Sequence, residues 1–388
     1  MHSNLSISQS PISQSRFTFH VFTHHVSRRQ GTPRMTRYII RRLLQAIPTL
    51  LGVSIISFLL VNSAPGDPIT IRTFDPNITD TTRELMRRQL GLDQPLPMQY
   101  VVWFSGLMFR RGDVVAEFTT PTNRCGYAMG INMTLCNNGA GIIRGNLGTS
   151  LQTQQPVWDR LVERMPATLE LGLASLFLSL VIGVPLGVLS AVYRGSWFDN
   201  LVRFFAVIFQ AVPAFWMALL LILFFGVYLG WLPTGGRQTV TLTQEFDLMD
   251  RIRHVILPAF VLAFGGIALF SRIMRTETLE VIHTDYVRTA RAKGLPGNRI
   301  WFVHAFRNSL IPMMTILGPA ILGVLSGAVI VETVFAWPGM GRLTLSAAFQ
   351  RDYPMVLGSV MFFSILVVLG NLLSDILYGI VDPRVRLS

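Results

Sequence analysis

Long apolar runs separated by polar, arginine-bearing stretches set the pattern of this chain. The runs fall at about residues 39–62, 168–192, 202–229, 254–274, 311–333 and 354–380. Each is long enough for a helix to cross the hydrocarbon core of a bilayer, which takes about 20 residues. Helices are expected because a spanning segment must satisfy its own backbone N–H and C=O groups. The pattern predicts an all-α, polytopic membrane protein with six transmembrane helices and a large extracytoplasmic loop between the first two. The expected organisation is an N-terminal extension at 1–34, a first helix at 35–62, a loop subdomain at 63–167 and a five-helix core at 168–388 that includes a charged loop at 275–310.

Within the polar subdomain, Thr82–Leu90 reads as a short amphipathic helix stopped by Gly91, and Pro95–Phe109 as a second helical stretch carrying Tyr100, Trp103 and Phe104. That second stretch suits either the outer membrane interface or packing within the subdomain. A Gly/Asn/Thr-rich insert follows at about 112–145 and holds both cysteines. Gly183/Gly187 and Gly323/Gly327 have the spacing that lets helix backbones approach closely, and packing is the expected role. Prolines 48, 185, 213, 258 and 319 are candidate kink sites.

Composition strengthens the membrane reading and removes others. Only 14% of the 388 residues are charged and 51% are hydrophobic, against about a quarter charged in soluble domains. The net charge of +12 is almost wholly arginine, because Lys293 is the only lysine. That balance fits orientation-setting loops rather than nucleic-acid binding. Arg37, Arg41 and Arg42 lead the first run. Arg194, Arg272, Arg275, Arg288, Arg291, Lys293, Arg299, Arg307, Arg384 and Arg386 fall on the side that six crossings place inside. The short outer loops hold fewer, chiefly Arg237, Arg251, Arg253, Arg342 and Arg351. Both termini are therefore expected in the cytoplasm. Residues 1–34 have no acidic residue and several Ser, Thr and Arg, as transit peptides do. A plain extension ahead of a natural start at Met35 is the preferred reading, with His2, His20, His24 and His25 in a tail rather than a metal site.

Candidate chemistry is sparse. A phosphate-binding P-loop needs Gly-Lys-Ser/Thr, but Lys293 lies between Ala292 and Gly294, so the chain has no P-loop of its own. Ion-coupled carriers keep costly ionisable groups in mid-span; here Glu170, Arg203, Arg272, Glu332 and Asp375 sit toward span ends, with Asn371 the main deeper polar side chain. No Ser-His-Asp set or metal-ligand spacing is visible, so an enzyme is not expected, and no cofactor. Cys125 and Cys136, on the expected outer side, most economically form a disulfide closing a small loop. Pro338-Gly-Met-Gly341, after Trp337, reads as a turn-rich outer loop.

The charged segment Asp285-Tyr-Val-Arg-Thr-Ala-Arg-Ala-Lys-Gly294 is the most informative stretch. It favours a short helix ended by a left-handed residue at Gly294, with Arg291 and Lys293 placed favourably for the helix dipole. Ala290 and Gly294 share a face, so a partner could approach the backbone there, framed by Asp285, Tyr286, Arg288, Arg291, Ala292 and Lys293. An ordinary solvated basic loop is the other reading.

The segment resembles the cytoplasmic coupling loop of ABC-importer permeases, whose pattern runs Glu-Ala-Ala-x-x-x-Gly. Aligned on Gly294, this chain reads Arg288-Thr289-Ala290-x-x-x-Gly294, so the Glu and the first Ala are absent. His304-Ala-Phe-Arg-Asn308, Pro312, Arg37–Leu44, Pro65-Gly-Asp-Pro68, Leu90-Gly-Leu-Asp93, Asn146-Leu-Gly-Thr-Ser150 and Glu332–Gly341 are similar to the dipeptide/oligopeptide/nickel branch. The resemblance spans about 35–386; the N-terminal extension and the cysteine-bearing insert depart from it. It implies a permease subunit in a bacterial inner membrane, in contact with lipid, passing di- or oligopeptides, with nickel chelates or oligosaccharides as other cargoes. It also implies a second homologous permease, two ATPase subunits that bind the ATP and Mg²⁺ and seat the 285–294 segment, and an extracytoplasmic binding protein. The Trp337, Pro338, Gly339 and Gly341 loop would line the outer mouth near that protein.

Overall fold

A computed structural model describes residues 35–63, 81, 94–111, 124–128, 133–137, 141–239, 247–325 and 328–381. The extension at 1–34, the amphipathic stretch at 82–90, Pro65–Pro68, Leu90–Asp93, Gly327 and the tail at 382–388 lie outside the described residues.

Two long helices make the centre, α3 (Val157–Val192) and α6 (Leu248–Ile282). At 1.5 Å rise per residue each runs roughly 50 Å, well beyond a hydrocarbon core of ~30 Å. They pack backbone to backbone through small residues. A Cβ on Gly183 would sit 3.0 Å from Ile267 O, and one on Gly187 would meet Ser271 O and lie 2.7 Å from the Met274 Cβ. A Cβ on Gly266 would lie 2.7 Å from that of Ser179, whose hydroxyl donates to Ala263 O at 3.2 Å. Gly183/Gly187 thus acts in packing. Gly323 does not make the second expected contact: the space beside it is open because it borders a cavity of about 290 Å³.

The two central helices are parallel. Glu170, in the first half of α3, accepts from Arg251 near the start of α6 at 2.6 and 2.7 Å. At the far end Ser190 of α3 and Arg275 of α6 meet on one carboxylate, that of Asp199. The chain must therefore travel back between them. It does so in α4 (Trp197–Ala211) and α5 (Ala214–Leu221), which continues as π-helical turns over Ile222–Tyr228.

This corrects the third run, expected as one helix over 202–229. The pair is bent by 105°. Pro213 supplies the cause: it has no N–H to continue the ladder and disfavours helical backbone at Val212, which is extended at φ −79°, ψ 126°. Pro48, Pro185 and Pro258 lie within continuous helices.

The fold is completed by α1 (Met35–Ser63), α2 (Leu96–Ser105), α7 (Asp285–Ala292), α8 (Phe306–Leu325), α9 (Val329–Val334), α10 (Met340–Phe349) and α11 (Tyr353–Val381). Helix α11 packs between α1 and α8. Among the described residues four helices are long and apolar enough to cross a membrane, within α1, α3, α6 and α11, and a fifth if the bent pair counts as one. The run expected at 311–333 divides into α8 and α9.

The all-α expectation needs a correction in the insert and the residues just before it. Strands β1 (Leu107–Arg111), β2 (Arg124–Ala128) and β3 (Met133–Asn137) form an antiparallel sheet in the order β1-β3-β2. The helix expected to reach Phe109 stops at Ser105, because Gly106 takes a left-handed φ of 73° and turns the chain into β1. The β2–β3 register sets Cys125 directly opposite Cys136.

Candidate functional site

The polar groups collect at the two ends of the α3–α6 pair. At the C-terminal end of α6 the chain turns through Thr284 into α7. Val287 and Ala290 of this helix are buried with Ile300, against Val281, Leu295 and Trp301. The helix closes with a paired-bond cap: Leu295 N donates to Ala290 O at 3.3 Å and Gly294 N to Arg291 O at 2.9 Å. Gly294 carries the left-handed φ of +74° that this cap requires.

Ala290 therefore does not offer the bare docking face expected of it. Its methyl is small enough to be covered by the segment that follows, and the exposed side is Asp285, Tyr286, Arg288, Thr289, Arg291, Ala292, Lys293 and Gly294. Several of these are held in place. Tyr286 Oη accepts from Asn308 Nδ2 at 2.7 Å, tying α7 to the start of α8. The Arg291 guanidinium lies 5.0 Å from the Trp301 ring centroid, a contact worth about 0.5–1 kcal/mol when exposed. Arg288 pairs only loosely with Asp285, at 3.4 Å, and both are well exposed. Space beside Gly294 is empty within 4 Å of where a Cβ would stand.

Behind α7 lies an ionic lock that sequence reasoning missed. Asp199, in the first turn of α4, is buried and accepts from Arg275 Nε at 2.8 Å and Nη2 at 2.9 Å, Ser190 Oγ at 2.5 Å and Gly195 N at 3.0 Å. It joins α3, α4 and α6 at one point. The available signal was an acid three residues after a Gly-Ser turn, which by itself reads as an N-terminal helix charge.

The opposite end carries a second lock, built on the Glu332–Gly341 stretch. Glu332 of α9 is fully buried; it accepts from Thr168 Oγ1 at 2.9 Å and Arg342 N at 2.8 Å, while Met340 N donates to Thr168 Oγ1 at 2.8 Å. Its carboxylate thus occupies the start of α10. A Cβ on Gly339 would overlap it, and one on Gly341 would come within 2.9 Å of Oε2. Trp337 is buried on Ala167, Leu171 and Ala259, with Nε1 donating to Ala167 O at 2.8 Å. The expected mouth-lining loop is thus an interior element: Trp337, Gly339 and Gly341 are buried and Pro338 is half-buried. Nearby, Asp352 caps α11 and accepts from Ser150 Oγ at 2.5 Å and Leu151 N at 2.9 Å, joining the Asn146–Ser150 stretch to the C-terminal helices.

A mostly helical fold with exposed apolar helix faces and polar locks at both ends defines a membrane-embedded subunit. The chain belongs to the binding-protein-dependent transport system inner membrane component family. That family's model matches residues 183–387, and the model of its N-terminal region matches residues 35–172. The chain is 42% identical to the oligopeptide transport system permease protein AppB of Bacillus subtilis (strain 168) over 353 residues, covering 91% of this chain and 100% of that one. It is 34% identical to the dipeptide transport system permease protein DppB of Escherichia coli (strain K12), and 36% to the di/tripeptide transport system permease protein DppB of Pseudomonas aeruginosa (strain UCBPP-PA14). Each of those two matches covers 91% of this chain and 99% of the relative.

Proposed function

We propose that this chain is the permease subunit of an ATP-driven importer of di- and oligopeptides, working with a second homologous permease, two ATPase subunits and an external binding protein. The observation that carries the cargo is full-length similarity to relatives named for oligopeptide, dipeptide and di/tripeptide transport. Exposed α7 is the element that meets an ATPase. A ligand-driven machine moves only if the driver binds its two states with different affinity, so the ATPase must grip α7 differently with and without nucleotide.

Six crossings fit the helix directions. Parallel α3 and α6 need a crossing between them, which makes α4–α5 a broken span rather than a re-entrant loop. Helix α8 starts beside α7 and leads to Glu332, which bonds to the start of α3. Helix α11 runs back from Asp352. Near the C-terminal end of α1, Ser54 Oγ and Tyr100 Oη lie 2.8 Å apart and Phe58 packs on Tyr100 and Trp103 of the subdomain. With arginines concentrated at the α7 end, that end and both termini are cytoplasmic. The apolar outer faces of α4 and of α5 with its π-helical continuation, where Phe204, Val207 and Leu223 are each more than half exposed, meet lipid or the second permease.

Uptake tests the assignment. Proteoliposomes with the complete complex and internal ATP should accumulate a labelled dipeptide, and Gly294→Arg should reduce accumulation at least tenfold while the chain still inserts. Asparagine tolerates a left-handed backbone, so Gly294→Asn should keep most of the uptake. Full activity in the arginine variant would remove α7 from the coupling role.

The Cys125–Cys136 register also supports a disulfide across β2 and β3, because opposed residues of antiparallel strands have Cα atoms about 4.5–5.5 Å apart, within the range a bridge needs. Intact cells treated with an impermeant thiol reagent should show no labelling of either cysteine until a reductant is added; labelling without reductant would exclude the bridge.

A further inference from the structure

Beside the Glu332 lock lies a cavity of about 380 Å³ between α3, the 150–153 turn and α10. Arg160 and Arg164, one turn apart on α3, line it together with Arg342 in the first turn of α10. The acids around it are already engaged. Asp352 holds Ser150 and Leu151, and Glu332 holds Thr168 and the Arg342 backbone. Glu163 reaches Arg160 at 3.4 Å but is 59% exposed, and such surface pairs hold weakly. Arg342 Nη1 donates to Ala336 O at 2.6 Å. Arg164 Nε is buried with no hydrogen-bond partner among the described residues. An unpaired buried donor is costly, so Arg164 lacks an acceptor beside a space that Arg160 and Arg342 also line, the first held only by a loose surface pair and the second by a backbone carbonyl.

We infer that this cavity binds the terminal carboxylate of a short peptide. The inference rests on the peptide-import reading and extends it to a substrate contact within this chain. Guanidinium forks match the planar, two-oxygen geometry of a carboxylate. The cavity lies within the roughly 300–1,000 Å³ span of small-molecule sites. Thr153, Ser346 and Gln350 add neutral hydrogen-bonding groups to its wall. The cavity sits at the end proposed to face outward, where released cargo first meets the permease.

Ligand-observed NMR on the purified full chain in phosphatidylcholine nanodiscs, with no binding protein, tests this. Glycylglycine should bind saturably and be competed by acetate, and glycylglycinamide should not bind. Arg164→Met and Arg342→Gln should each weaken glycylglycine at least tenfold; if one variant fails to fold, the other decides. Equal binding of the amide, competition by inorganic phosphate but not acetate, or wild-type binding in the folded variants would overturn the assignment. Because the readout is binding, a complex that binds glycylglycine here yet imports none overturns the import reading and upholds the site.

Discussion

Gly187→Leu is expected to prevent the chain from assembling its central helix pair. The Cβ alone would meet Ser271 O and lie 2.7 Å from the Met274 Cβ, and a leucine adds three carbons to a contact with no room for one. Overpacking a well-filled interior costs about 1–3 kcal/mol where side chains can shift. Here one obstacle is backbone, so α3 and α6 must separate and the cost lies at or above that range. Gly265→Leu is the control: it lies on α6 with nothing within 4 Å of its Cβ position. In detergent, size-exclusion profiles should show the first variant aggregated and the second monodisperse. Equal profiles would mean that α3 and α6 do not meet at these glycines.

The second large effect is expected at the α7 end. Asp199→Leu strips Arg275 of its partner and leaves Ser190 Oγ and Gly195 N without their acceptor. Breaking a buried ion pair costs about 3–5 kcal/mol. Because the Arg275 side chain keeps 22% exposure, solvent relieves part of that, and roughly 2–3 kcal/mol is expected. The double variant Asp199→Leu/Arg275→Leu should recover part of that stability, since the stranded Arg275 charge is then gone while Ser190 Oγ and Gly195 N stay without their acceptor. Thermal unfolding of the purified chain separates the cases. A single variant as stable as the parent, or a double variant worse than the single, would show that the pair does not hold α4 to α6.

What the sequence could reveal follows from what each feature depends on. Apolar length is a property of composition, so the runs at 39–62, 168–192, 254–274 and 354–380 coincide with parts of long helices. The break at Pro213 was visible only as one proline among five candidates; its backbone geometry, not its presence, separates it from Pro185 and Pro258. Residues 107–137 hold strands of five residues each, too short and mixed in composition to announce themselves beside glycines and asparagines.

The sites divide in the same way. Gly294 was legible because a left-handed helix end leaves a local signature. Ala290 misled because smallness was read as openness, whereas Leu295 and Trp301 fold over it. The Trp337–Gly341 loop misled because turn residues usually mark a surface. Its burial depends on the Glu332 carboxylate and on Thr168, 164 positions away, and pairing at that separation is invisible along the chain.

The parallel course of α3 and α6 has a mechanical consequence. Joined through their glycines along the middle and pinned by charged groups at both extremities, they form a stiff beam rather than two independent rods. A push delivered at α7 would tilt the whole beam, so the Glu170 and Glu332 end would swing in step with it, without any relay of side chains between them.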